Sequence, residues 1–351
     1  MNGKRPWIIA FGLTLVALFS VLQMSGATAD PGTTEGCRTG VYAEVMTDGT
    51  WRLCTTPSVS PSVSPSASPS VSPSPSPSVS PSPSTSPSVS PSPSTSPAPP
   101  TGCLADPSAC GYPDADNTGA QGTLTVVNGN VRLSTAGMVY ADKEVRGCIE
   151  VTAPSVTIRN VKITGDCSYS IDYYPYSNTR TDQHMVVENV TIICQSHGNG
   201  IGELNFIARR VNISGCENGL DVDRDVLLVD SYIHDLVPET GNSFHTDSIQ
   251  GIQTRNIVYD HNTLISPRIA TSAIIADNLT TNGWTLKNSL LNGGGYTVYC
   301  PKTGTITNNR FGDNQWTNSG SNQSYATSCG AGITWSGNVR DATGLAVPKL
   351  G

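Results

Sequence analysis

The sequence predicts an all-β chain whose main body is a parallel solenoid of three short strands per coil, entered through an uncharged Ser/Pro linker. Three observations carry this expectation. Aromatic residues make up only 6% of the 351 residues while Gly alone numbers 34, a balance that favours short strands and tight turns over long helices. A two-part alternation of apolar residues recurs along the chain from Val156 onward, the signature of a repeat architecture. The residue that interrupts each alternation is most often Asn or Asp, the non-glycine types that best tolerate a left-handed turn.

From the N-terminus, residues 1–29 read as a signal peptide. Lys4 and Arg5 precede an apolar run from Trp7 to Leu22, and Ala27-Thr28-Ala29 offers small residues at the cleavage positions. A membrane anchor is the competing reading, and the Ala-x-Ala site that closes the run weighs against it. The mature chain is expected to start at Asp30, secreted and free of the membrane after cleavage, with cell-surface association left open. Ten cysteines fit disulfides formed outside the cell. Cys37 and Cys54 would staple a small segment, residues 30–56. Residues 57–100 repeat Ser-Pro and carry no charge, so they cannot pack. In polyproline II form this disordered linker would reach about 130 Å at ~3.1 Å per residue. Its hydroxyls could carry sugar, and enzymes of insoluble polymers and adhesins both use such tethers, so it does not decide function.

Residues 101–351 are expected to form the solenoid. Its repeats are Val156-Thr-Ile-Arg-Asn-Val-Lys-Ile163, Met185 to Ile192, Phe206 to Ile213, Val226 to Ile233, Val258 to Leu264, Thr285 to Leu291 and Thr305 to Phe311. The closing apolar residues are spaced 29, 21, 20, 31, 27 and 20 apart, a floor near one coil with loops inserted above it. The interrupting residues are Asn160, Asn189, Arg210, Asp230, His261, Asn288 and Asn308. A turn there changes which residues point inward, which explains why successive alternations are out of phase. An antiparallel sandwich would need Asn-Gly hairpin signals between paired runs, and these are nearly absent. A third strand follows each pair, as in Ser170-Ile-Asp-Tyr173, Gly200-Ile-Gly-Glu203, Gly219-Leu-Asp-Val222, Ser248-Ile-Gln-Gly251, Ala273-Ile-Ile-Ala276 and Thr297-Val-Tyr-Cys300. Three strands in about twenty residues make a parallel β-helix. Nearest-neighbour disulfides are expected within it: Cys103 with Cys110, Cys148 with Cys167, Cys194 with Cys216, and Cys300 with Cys329.

These Val-x-Ile-x-Asn-Val-x-Ile coils resemble the right-handed parallel β-helix of the pectate lyase-like superfamily, over roughly residues 120–340. In particular they are similar to secreted bacterial right-handed β-helix repeat proteins. The resemblance implies a substrate groove along the third sheet, beside its loops. The fold itself hosts lyases, hydrolases, epimerases, esterases and non-catalytic adhesins.

Stacking the third strands in register places Ile171, Leu220, Ile249, Ile274 and Val298 inside and aims Asp172, Gly202, Asp221, Gln250, Ile275 and Tyr299 outward. Two residues before each inward position, at the loop mouth, stand Asn199, Asn218, Asp247, Ser272 and Tyr296. The sharpest motif is Ser243-Phe-His-Thr-Asp-Ser-Ile-Gln250, where His245 and Asp247 supply a proton-exchanging pair or, for Asp247, a calcium ligand. Thr246-Asp-Ser-Ile249 is similar to a strand of polygalacturonase-like hydrolases, but the Asp-Asp pair and Gly-His-Gly turn expected on the next coil are missing from Thr271-Ser-Ala-Ile-Ile275. Glu217-Asn-Gly-Leu-Asp-Val-Asp-Arg224 lies one coil earlier, placing Asp221 about 8–11 Å from Asp247. That separation suits either an inverting carboxylate pair or a calcium ion held between them. An elimination would draw its base from Arg224, Arg268 or Lys302. Asp172, Tyr173, Tyr174, Asn218, Gln250 and Tyr299 are the expected sugar contacts, the tyrosines as a stacking platform.

The expected function is polysaccharide cleavage, with elimination on a uronate polymer preferred slightly over hydrolysis. A non-catalytic glycan-binding solenoid is the rival. A net charge of −7 argues against nucleic acid as a partner. The partner is a polysaccharide, including that of a cell wall, the protein is a monomer, and calcium is the one cofactor expected. No Gly-x-Ser-x-Gly elbow, His-Glu-x-x-His, phosphate-binding loop or dinucleotide fingerprint is present.

Overall fold

A computed structural model describes residues 43–45, 51–53, 102–173, 184–239, 245–276, 282–315 and 325–350. The expected signal peptide and linker, Cys37, Cys54 and Tyr174 lie outside the described residues. Ala43–Val45 and Trp51–Leu53 pair antiparallel. The remaining 23 strands form one continuous hydrogen-bonded system in which each strand pairs in parallel with those one coil before and after it. This is the expected all-β parallel β-helix.

Three faces run along it. On the first, Ile158, Val187, Ala208, Leu228, Tyr259, Leu286, Ile306 and Trp335 stack in register. On the second, Ile163, Ile192, Ile213, Ile233, Leu264, Leu291 and Phe311 do the same. Ile171, Ile201, Leu220, Ile249, Ile274 and Val298 line the inside of the third, and all six are fully buried. Removing such unbroken aliphatic columns from water is the main stabilising term, at about 25 cal/mol per Å². The solenoid also extends beyond the repeats read from sequence. Thr125–Asn128 and Val131–Leu133 start it, and Ile333–Ser336 with Val339–Arg340 end it.

The corner between the first and second faces is built as expected. Asn160, Asn189, Arg210, Asp230, His261, Asn288 and Asn308 all have φ between 49° and 57°. Their side chains link coil to coil: Arg210 Nε donates to Asn189 Oδ1 at 2.6 Å, and His261 Nδ1 meets Asp230 Oδ1 at 2.8 Å. The next residue points inward, and here the two ends of the solenoid differ. Val161, Val190 and Val211 fill this position early, whereas Ser231, Asn262, Ser289, Asn309 and Asn338 fill it later, all buried. Each polar side chain there accepts the backbone N–H of the same position one coil before, as Asn262 does from Ser231, Asn309 from Ser289 and Asn338 from Asn309.

Four disulfides have the nearest-neighbour pairing expected: Cys103–Cys110, Cys148–Cys167, Cys194–Cys216 and Cys300–Cys329. They fit an oxidising compartment. No helix among the described residues is long and apolar enough to cross a membrane.

Residues 102–121 form a strap that runs lengthwise over the turn corner. Cys103 N–H is held by the Asp341 carboxylate on the last coil. Further along, Gly111 O accepts from His261 Nε2 at 2.8 Å, and Tyr112 stacks on the His261 ring. Gly119 N–H bonds Arg210 O, Ala120 N–H bonds Thr191 Oγ1, and Gln121 N–H bonds Asn160 Oδ1. The strap thus crosses from the last coil to one of the first before the chain enters the solenoid.

Candidate functional site

The outer surface of the third face carries the candidate site, and a local irregularity shapes it. The register passes from Asn199 and Asn218 directly to Ile201 and Leu220, skipping Gly200 and Gly219. Both glycines face the core, since a Cβ on them would lie 3.0 Å from Ile213 and 2.5 Å from Ile233 respectively. Two consecutive inward positions return the residue before them to the outer surface. Asn199, Asn218, Asp247 and Ser272 therefore share a side with Gly202, Asp221, Gln250 and Ile275, as Asn218 Nδ2 shows by reaching Gln250 Oε1 at 3.4 Å. The outward column Asp172, Gly202, Asp221, Gln250, Ile275 and Tyr299 pairs residue by residue as expected.

Asp247 stands at the centre of this surface, yet its side chain is fully buried. Its N–H donates to Asn218 Oδ1 at 3.0 Å, and its Oδ1 accepts from Ser272 Oγ. Oδ2 is buried and has no hydrogen-bond partner among the described residues. Burial, first, and the negative charges of Glu239 and Glu217 hold this carboxyl well above the usual carboxylate range, against the opposing Ser272 bond. Burial therefore favours its neutral form.

Asp221, one coil earlier and three positions along, does not touch Asp247. Its Oδ2 accepts from the Tyr169 hydroxyl at 2.6 Å, and burial raises its pKa while that bond lowers it. Tyr169 belongs to the strand two coils back, and its ring lies over Gly202, where any Cβ would fall 2.3 Å from a ring carbon. Glycine at 202 is what allows the ring to cross. His245 does not orient Asp247. It is exposed, its Nδ1 meets Thr271 Oγ1 at 2.9 Å, and Thr271 Oγ1 donates to Glu239 Oε1 at 2.6 Å. Glu239 also accepts from Thr246 N–H at 2.9 Å, so the His245, Thr271 and Glu239 bridge lies beside Asp247. Tyr299 packs edge-on against Tyr296 with ring centroids 5.5 Å apart and feels the charges of Asp247 and Glu239.

Several sequence expectations need correction. Tyr173 is fully buried inside the helix, because it is two positions beyond the inward Ile171 and so points the same way; it offers no platform. Tyr169 is the ring on this surface, and only the pairing of Gly202 with Asp172 and Asp221 could have signalled it. Arg224 Nη1 is paired to Asp223 Oδ2 at 2.6 Å and its Nε lies 3.9 Å from Asp225, which removes it as a free base. Arg268 is exposed, without an ion pair to a described residue, three residues before Thr271. Lys302 is exposed too. Glu203, Glu217 and Glu239 were not expected. Glu203 is raised by burial and then by Asp221, Asp172 and Asp223. Burial also raises Glu217, with Glu239 and Asp221 adding to it and His197 and His245 opposing.

A calcium ion between Asp221 and Asp247 does not fit these residues. Asp247 is covered and favours its neutral form, and the described residues contain no group of three or more His, Cys, Asp or Glu side chains placed to hold a metal. A second concavity, under the strap, is lined by Asn117, Gln121, Asn160, Asn189 and Arg210; it has no free carboxyl or base. No family model matches the chain, and no curated protein or solved structure matches it either.

Proposed function

We propose that this chain is a secreted carbohydrate-active β-helix protein of the pectate lyase-like superfamily that cleaves a polysaccharide along its third face. One observation carries the reading: a buried Asp247, its carboxyl held well above the usual range and one oxygen without a partner among the described residues, on the same surface as the Asp221 carboxyl held by Tyr169. A pair of carboxyl groups in contrasting environments is what glycoside hydrolysis requires. Asp247 donates its proton to the glycosidic oxygen as the carbon–oxygen bond breaks. A water attacks the anomeric carbon from the opposite side and gives its proton to Asp221. The estimated separation of about 8–11 Å overlaps the inverting range. Substrate reaches Asp247 by displacing the Glu239, Thr271 and His245 bridge, while Asn218, Gln250, Asp172 and Tyr299 supply contacts along the face.

Hydrolysis is preferred over elimination because the surface gathers acids and offers few cations to offset a uronate. Exposed Arg268 beside Thr271, without an ion pair among the described residues, favours elimination as the second reading. Incubating the purified protein with a glycan panel, while following reducing ends and the absorbance of unsaturated products, separates the two. Reducing ends alone are expected. Unsaturated products would transfer the assignment to elimination, and binding without any product would make the chain a glycan-binding solenoid.

A further inference from the structure

We infer that the polymer this face takes is a polycationic aminoglycan, a sugar chain carrying free protonated amino groups, and not a uronate. The inference rests on the cleavage reading only for the bond-breaking step, not for binding. In the outward column of the third face Glu150 and Asp172 are register neighbours and Asp221 follows two coils after Asp172, with Gly202 between them and Glu203 next to Gly202. Glu217 and Glu239 add charge near Asp221 and Asp247. Burial first, and then Glu150, raise Asp172, and burial with Asp221, Asp172 and Asp223 raises Glu203. Acids gathered in this way make a strip of negative potential that a ligand cation relieves.

The described cations leave this strip largely unbalanced, with Arg268 and Lys302 exposed outside the outward column. Arg132 meets Glu150 at 3.3 Å in an exposed pair. Arg224 and its register partner Arg255 stand beyond Val222 and Gly251, past the end of the third face, with Arg224 already paired to Asp223 and Asp225. His197 and His245 are the remaining basic groups facing Glu217. Asp247 supplies an independent pointer to a ligand, because its buried Oδ2 has no hydrogen-bond partner among the described residues. An ammonium or hydroxyl group of a sugar provides one. Coils are about 4.8 Å apart, so Asp172 and Asp221, two coils apart, are separated by close to the advance of two rings of an extended sugar polymer. Tyr169, over Gly202 between Asp172 and Asp221, and the Tyr296 and Tyr299 pair supply rings on which sugars stack.

Partially N-deacetylated chitin and the same polymer after re-acetylation share a backbone and differ in charge, which makes them the probes, with polygalacturonate and polylysine beside them. The full chain is expected to bind the deacetylated polymer at least about tenfold more tightly than the re-acetylated one. That preference should fall by about tenfold when salt shortens the Debye length from ~30 Å to ~3 Å. Asp172→Asn combined with Glu203→Gln should lower it by a similar factor with an unchanged urea midpoint; the salt dependence tests the idea should the double variant fail to fold. Equal binding of both forms, tighter binding of polygalacturonate, or polylysine binding as well as the aminoglycan would overturn the inference. Cleavage of a neutral glycan without charge preference overturns the inference and leaves the cleavage reading intact. Salt-sensitive aminoglycan binding without product supports the inference and removes the cleavage reading.

Discussion

Two polar ladders climb this solenoid, one inside the turn corner and one on the third face, and they are built from the same residue types to opposite effect. Inside, Ser231, Asn262, Ser289, Asn309 and Asn338 hand hydrogen bonds from coil to coil. Asn309 Nδ2 reaches both Leu286 O at 3.2 Å and Asn338 Oδ1 at 3.0 Å. Outside, Asn199 and Asn218 start a similar stack, with 3.0 Å between Asn218 Nδ2 and Asn199 Oδ1. The stack then meets a carboxyl with one oxygen unpaired. A completed ladder is structural, because satisfying buried polar groups removes their desolvation cost. An incomplete one stores a reactive group at a cost to stability.

The largest effect expected from breaking this contrast is on catalysis. Asp247→Asn keeps the side-chain volume but removes the transferable proton, so kcat on the cleaved glycan should fall by about 10²–10⁴-fold. Full activity in that variant would remove Asp247 from the chemistry. On the inner ladder, Asn309→Ala leaves the Ser289 N–H and Leu286 O without partners and opens a small cavity. It should cost about 3 kcal/mol in urea unfolding while the folded protein keeps its kcat. A loss below about 1 kcal/mol would mean that the polar half of the solenoid does not depend on its ladder.

The pH dependence of stability sharpens the comparison. Asp247 has a raised pKa in the folded state, so the folded chain binds a proton that the unfolded chain releases above its ordinary carboxylate pKa. Its contribution is neutral in acid and becomes unfavourable as pH rises from about 4 through the folded pKa. Asp247→Asn should therefore be more stable than wild type at neutral pH, with the gap closing near pH 4 in urea unfolding. Activity that depends on the protonated acid declines over the same upward range. Tyr169→Phe breaks one bond to Asp221 and should lower kcat/KM by about tenfold with little change in stability.

The smallest effect concerns the strap. His261 is raised, first by its bond to Asp230, against burial and with help from the Gly111 carbonyl. Its stabilisation is present below about pH 6.5 and is lost as pH rises through the higher folded value. Half-exposed, it should contribute no more than about 0.5 kcal/mol after screening. Hydrogen exchange of the Gly111 and Tyr112 amides across that pH range would detect it.

Much of the fold was legible because a solenoid is a local code. The left-handed residues from Asn160 to Asn308 and the register of Asp172, Asp221, Gln250 and Tyr299 follow from repetition alone, since each coil can only stack on its neighbour. The site was legible where it obeyed that code and obscure where it left it. Tyr169 crosses a coil over Gly202, Glu239 arrives from an inserted loop, and Thr271 diverts His245 from Asp247; no periodicity reports such crossings. Tyr173 was misplaced because its outward neighbour Asp172 suggested a surface, when the alternation turns it inward. The strap escaped because it follows the solenoid axis instead of repeating with it.

That strap decides how the protein would carry a load. The Ser/Pro linker joins the folded domain at Gly102, beside Asp341 on the last coil, and not at the coil where the solenoid begins. A pull arriving through the linker is divided among contacts at Asp341, His261, Arg210, Thr191 and Asn160, which lie along the axis and are stressed together in shear. A domain loaded through this strap is gripped along most of its length, from Asp341 on the last coil to Asn160 on one of the first.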